Sequence, residues 1–178
     1  MKWLTVNKGV ILKKALLSAL TVTVAVALPW LCHLVGGFTG LGSGLGEMLL
    51  PMHLPVMLAG LLWGPQVGVI CGIASPLVSF ALTNMPGPAM VPFMVVELAV
   101  YGLCAGLLAR REMPTIAKVL VIQVAGRALR ALALVIAIYG FGFTALPLSI
   151  VWTSISVGLA GILIQWVLVP VLTREMRR

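Results

Sequence analysis

Aspartate is absent from this chain of 178 residues, and its acidic residues number only four. Charged residues of both signs make up 9%, against about 25% in a soluble globular domain. Such a chain cannot cover a water-facing surface, so hydrocarbon must be its solvent. Catalytic constellations are equally scarce. HExxH, GxSxG and Walker A patterns are missing, which leaves no base and orienter for a nucleophile and no phosphate cradle for ATP. Gly42-Ser43-Gly44 could present a serine to His33 or His53, but so glycine-rich a stretch is too mobile and superficial to hold a nucleophile. No enzyme is expected, and any ATP-driven process needs a partner. Cys32, Cys71 and Cys104 lie in apolar runs without CxxC spacing and read as small buried hydrophobes. His33 and His53 are separated by the glycine stretch and lack metal-ligand spacing. Neither a metal nor another cofactor is expected.

What the chain has in quantity is apolar surface: 61% of its residues are hydrophobic and the mean hydropathy is +1.17. At about 20 residues per spanning helix, this length allows roughly six spans and leaves nothing for a soluble domain. The cations are sorted to one side. Lys2, Lys8, Lys13 and Lys14 precede the first apolar run, Arg110, Arg111 and Lys118 flank a break near the middle, and Arg174, Arg177 and Arg178 close the chain. That is the positive-inside pattern with both termini cytoplasmic. The formal net charge of +8 therefore reads as topology signals and contact with anionic lipid, not as a nucleic-acid surface, because no basic patch carries interleaved aromatics. The basic start resembles a signal peptide. No small-residue cleavage site follows and the run continues through Pro29 and Trp30, so it reads as an uncleaved first span.

Turn residues divide the chain into a single membrane domain, an all-α bundle of six transmembrane helices, with spans at about 10–34, 49–63, 66–83, 89–109, 115–139 and 147–172. Gly36 to Gly46 is too glycine-rich for a stable helix and is expected as a mobile outer loop. Gly64-Pro65 reads as a tight cytoplasmic turn, and Asn84 to Pro88 and Gly140 to Phe143 as outer turns. Gly68 and Gly72, and Gly102 and Gly106, are four apart, the spacing for close helix approach in lipid, and intramolecular packing is favoured over dimerisation.

The ionisable residues away from the cytoplasmic ends are His33, Glu47, His53, Glu97, Arg127 and Arg130. Glu97 in the fourth span and Arg130 in the fifth both lie roughly 12–15 Å from the outer end at 1.5 Å per residue. Consecutive spans are usually neighbours, so an ion pair is geometrically available, with Arg127 one turn further in on a similar face. The pair either locks the two helices or lines a polar cavity. Charges inside a membrane usually mark functional cavities, which favours the second role. One acid against two arginines leaves a positive excess.

With these residues in place, the chain resembles the substrate-binding S component of energy-coupling factor (ECF) transporters. Ala15-Leu16-Leu17-Ser18-Ala19 is an AxxxA pattern near the cytoplasmic end of the first helix. The run Leu54 to Gly68, through Trp63-Gly64-Pro65-Gln66, looks like the family's second-to-third helix hairpin, and Glu97 to Gly106 looks like its fourth helix. The resemblance implies a membrane-embedded binder of a vitamin or related micronutrient in the bacterial plasma membrane, loaded from outside beneath the loop that joins the first two helices. It also implies a transmembrane T component and two cytoplasmic ATPases as partners, with Ala15 and Ala19 as the docking face, and toppling of the whole subunit to release its cargo. His53, Asn84, Glu97, Tyr101, Arg127, Arg130 and Trp152 offer hydrogen bonds and stacking that suit a planar polar heterocycle. A modified nucleobase, a corrinoid precursor and a pyridine vitamin all remain open as substrates. The competing class is a channel or self-sufficient secondary transporter, which usually shows internal repeats with broken helices in both halves. No such repeat is evident here.

The one-sided cations generate the first prediction. A cysteine at position 43, replacing Ser43, is expected to react with an impermeant thiol reagent on intact cells, and one replacing Glu112 only after permeabilisation. External labelling at 112 would overturn the topology.

Overall fold

The computed structural model describes residues 8–40, 42 and 44–178; Lys2 and Ser43, both named above, lie outside the described residues. It is all-helical. α1 spans Lys8–Thr39, α2 Gly44–Leu49, α3 His53–Trp63, α4 Pro65–Thr83, α5 Val91–Leu108 and α6 Thr115–Val135, and a π-helical turn, Ile136–Gly140, prolongs α6. α7 (Ile150–Val157) and α8 (Leu159–Glu175) complete the chain. Five stretches are long and apolar enough to cross a membrane, with α2 and α3 together forming one of them, and α7 with α8 supplies a sixth if that bent pair is one span. The chain is a multi-pass membrane protein.

Three elements depart from the expected outline, each for a packing reason. The glycine stretch is largely helical, since α1 continues through Gly36 and Gly37 and α2 already begins at Gly44. Two of its glycines serve close approach: a Cβ on Gly36 would strike the Gly42 carbonyl, which the Gly42 N–H brings near by bonding the Gly36 carbonyl at 2.9 Å, and a Cβ on Gly46 would strike the His33 ring. The second span is broken at Leu50, where φ is +49°. The exposed end of that break is not orphaned, because the Leu50 carbonyl accepts the His53 N–H at 3.2 Å and Gln165 Nε2 at 3.2 Å. In hydrocarbon such compensation is obligatory. Gln165 is held in turn by Gln123, which also accepts the indole N–H of Trp166 at 2.8 Å. The last span is two helices bent by 55° at Gly158, and α7 buries no residue of its own.

The rest follows from small residues. α5 packs on α3, α4 and α6. Along the α4–α5 seam Gly68 faces Gly102, Gly72 faces the Leu98 carbonyl and Gly106 faces Pro65, so close that no Cβ fits at any of them. Backbone lies against backbone, the intramolecular role expected of the four-residue spacing. Gly64, at φ +94°, makes the turn and Pro65 opens α4, where its missing N–H costs no helical bond. α1 buries only a narrow stripe, Ser18, Thr21, Ala25 and Gly36, flanked by partly buried Leu17 and Val22.

The seam sets the second prediction. Gly102→Val should lower stability by about 3 kcal/mol, the upper end for overpacking, as read by unfolding of the purified protein in a detergent–SDS titration. Gly37→Val, with open space around the position, should leave the midpoint unchanged or raised, because glycine is a poor helix former.

Candidate functional site

A cavity of about 490 Å³ opens at the end of the bundle remote from both termini. Its walls come from the upper part of α1 (Trp30, His33), the break before α3 (Leu50 to His53), the end of α4 (Ser79, Thr83), the start of α5 (Met90, Met94, Glu97), Arg130 of α6 and Ser154 of α7. Most of the wall is apolar. Within it His53, Glu97, Arg130 and Ser154 form one polar cluster.

Glu97 carries that cluster. It has no solvent exposure. Its Oε2 accepts Arg130 Nη1 at 2.7 Å, so the ion pair anticipated from span depth forms. Arg130 Nη2 donates to the Ser154 hydroxyl, which donates in turn to the Val151 carbonyl at 3.0 Å. The other carboxylate oxygen, Oε1, lies 3.6 Å from His53 Nε2, beyond hydrogen-bonding distance. That oxygen and both His53 nitrogens are buried without a hydrogen-bond partner among the described residues. The His53 ring stands edge-on to Tyr101, with centroids 5.2 Å apart. Tyr101 reaches this place because residue 126 is glycine: a Cβ there would strike its ring.

The polar residues singled out in the sequence therefore separate. His53, Glu97 and Arg130 meet at the cavity. Tyr101 is fully buried one layer behind His53 and does not line it. Asn84 caps α4 in the left-handed conformation, and its neighbours Thr83 and Met85, not Asn84 itself, line the wall. Arg127 lies on a face similar to that of Arg130, as three-residue spacing implies, but does not line the cavity. It lines an adjoining cleft of about 160 Å³ with Trp152, and that cleft shares Arg130 and Ser154 with the cavity; Trp152 is 72% exposed. Ala15 and Ala19 are exposed on α1, toward the end nearer the termini.

Several cavity residues had no signal in the sequence. Trp30, Ser154 and the methionines of the wall sit in apolar runs where nothing distinguishes a lining residue from a lipid-facing one. His33 and Glu47 were visible as isolated polar residues, and both line the cavity. Among the described residues no group of three His, Cys, Asp or Glu side chains is arranged to hold a metal ion.

The buried pair gives the third prediction. Glu97→Gln keeps the volume and strands the Arg130 charge, and should cost about 3–5 kcal/mol in the detergent–SDS titration. Glu97→Gln with Arg130→Met should recover more than half of that loss. A double variant as unstable as the single one would show that the pair is not the source of the effect.

No curated protein and no solved structure matches the chain. A model of the family described as "ECF transporter, substrate-specific component" matches residues 10–173, nearly the whole length and all of the helices that build the cavity. The chain therefore belongs to the family of substrate-specific components of ECF transporters.

Proposed function

We propose that this chain, as a single membrane domain with both termini in the cytoplasm of a bacterium, captures a vitamin or related micronutrient from outside and docks on a T component for uptake driven by two ATPases. The observation that carries this is the cavity of about 490 Å³ at the end away from the termini, with Glu97, His53 and Arg130 buried in its wall. That volume fits a small organic molecule, and a buried ionisable cluster inside a membrane is the usual mark of a ligand site. His53, Glu97 and Arg130 form the substrate-binding cluster in this scheme, and Tyr101 supports His53 from behind.

The closed half of the bundle favours a binding subunit over a channel or self-sufficient carrier. Below the cavity, Gly60, Gly68, Gly102 and Gly106 bring α3, α4 and α5 into backbone contact, leaving no path between these helices. Release then needs a motion of the whole subunit, and that needs a partner. The exposed face of α1 supplies a surface for one. Ala15 and Ala19 are exposed, and small residues let another helix approach closely in lipid.

Capture and docking should separate. Ala15→Trp and Ala19→Trp should abolish co-purification with co-expressed T component and ATPases and reduce uptake to background. Native mass spectrometry should still find the same small molecule retained by each variant chain. Full uptake by the wild-type chain in a host without any ECF ATPase would overturn the proposal in favour of a self-sufficient carrier.

A further inference from the structure

The balance of charge and of unused hydrogen-bonding atoms in the cavity says what kind of molecule it takes. Its wall carries two carboxylates, Glu47 at the exposed rim and Glu97 at full burial, against one guanidinium, Arg130. The charge of that guanidinium is already paired with Glu97, and two of its N–H groups donate to Glu97 and Ser154. No lysine lines the cavity, and Arg127 lines only the cleft that adjoins it at Arg130 and Ser154. A carboxylate or phosphate entering here would be buried beside Glu97, with no cation in the cavity wall but the one already paired to it, a costly arrangement in a low-dielectric interior.

The unused atoms are of the opposite kind. Glu97 Oε1 is an acceptor by chemistry, and His53 Nε2 is one whenever the ring proton sits on Nδ1. Both are buried and unpartnered, and they lie 3.6 Å apart. Two adjacent acceptors at that separation bracket a group with two neighbouring N–H donors. Trp30 lines the same cavity, and an indole face attracts a cation. Met90 and Met94 add soft, polarizable wall.

The geometry points to a small organic cation, an amidine or protonated amino-heterocycle, whose N–H groups donate to Glu97 Oε1 and His53 Nε2 while Arg130 continues to hold Oε2. This rests on the cavity being the capture site proposed above. Arg130 acts here as a positioning residue: it holds the carboxylate in place and leaves one oxygen for the ligand.

The test is a matched series differing only in head group, 4-phenylbenzamidine, 4-phenylbenzamide and 4-phenylbenzoate, titrated calorimetrically into the chain in lipid nanodiscs with blank discs subtracted. The amidine should bind most tightly and the benzoate least, with about ten-fold or more between them, the scale of one charge-assisted hydrogen bond. Glu97→Gln should erase the preference. Because that variant strands Arg130, Glu97→Gln with Arg130→Gln serves as the folded counterpart, with both charges removed and the net charge of the cavity unchanged; it too should lose the amidine preference. Benzoate binding as tightly as the amidine would overturn the charge class while leaving the cavity as the capture site. A preference that survives in the double variant would overturn the role of Glu97. Binding of none of the three above blank discs would overturn both this inference and the cavity as the site of capture.

Discussion

A carboxylate with no exposure to water sits in the wall of this helical bundle, and its charge is tolerable only because Arg130 lies 2.7 Å away. Much of the open half depends on that contact. It ties α5 to α6, and through Ser154 it reaches α7, which has no buried residue of its own to hold it. Gly126 leaves room for the Tyr101 ring, which in turn backs His53 edge-on. Replacing such a pair by apolar side chains of similar volume often costs nothing in stability, so stability alone does not account for its presence. The pair lies on the cavity wall, with one carboxylate oxygen left over.

The two halves of the bundle solve opposite problems. Toward the termini, α3, α4 and α5 meet through glycine, and backbone packing excludes everything else. Toward the other end, the helices are interrupted: α2 stops at Leu49, α4 at Thr83, α5 begins at Val91, and the last span bends at Gly158. Each interruption leaves backbone groups that hydrocarbon cannot satisfy. The Gln123–Gln165–Trp166 network is the response at the deepest of them, where Gln165 bonds the Leu50 carbonyl. Rigid packing below and interrupted helices above together give a cavity with a closed floor. Ala15 and Ala19, exposed on α1, are not part of that cavity's wall.

Composition and periodicity by themselves determined that this is an all-helical membrane protein, because 9% charge cannot dress a soluble surface and the apolar runs have the length of a bilayer. They also brought Glu97 and Arg130 together, since equal depth on consecutive spans leaves few alternatives. They marked Gly68 and Gly102 for close packing, because a four-residue spacing of small residues has one main use in lipid. What only the tertiary structure decided is which way each remaining residue faces. Hydropathy reports depth but not azimuth, so nothing in the sequence shows that of Arg127, Arg130 and Trp152 only Arg130 reaches the cavity, the other two stopping at the cleft that adjoins it. The glycine stretch misled for a related reason. Glycine is a poor helix former in isolation, but Gly36 and Gly46 are helical here because a neighbouring strand of chain and the His33 ring occupy the space a side chain would need. Local propensity is a property of one segment, and it yields when contacts from distant segments reward the conformation it disfavours.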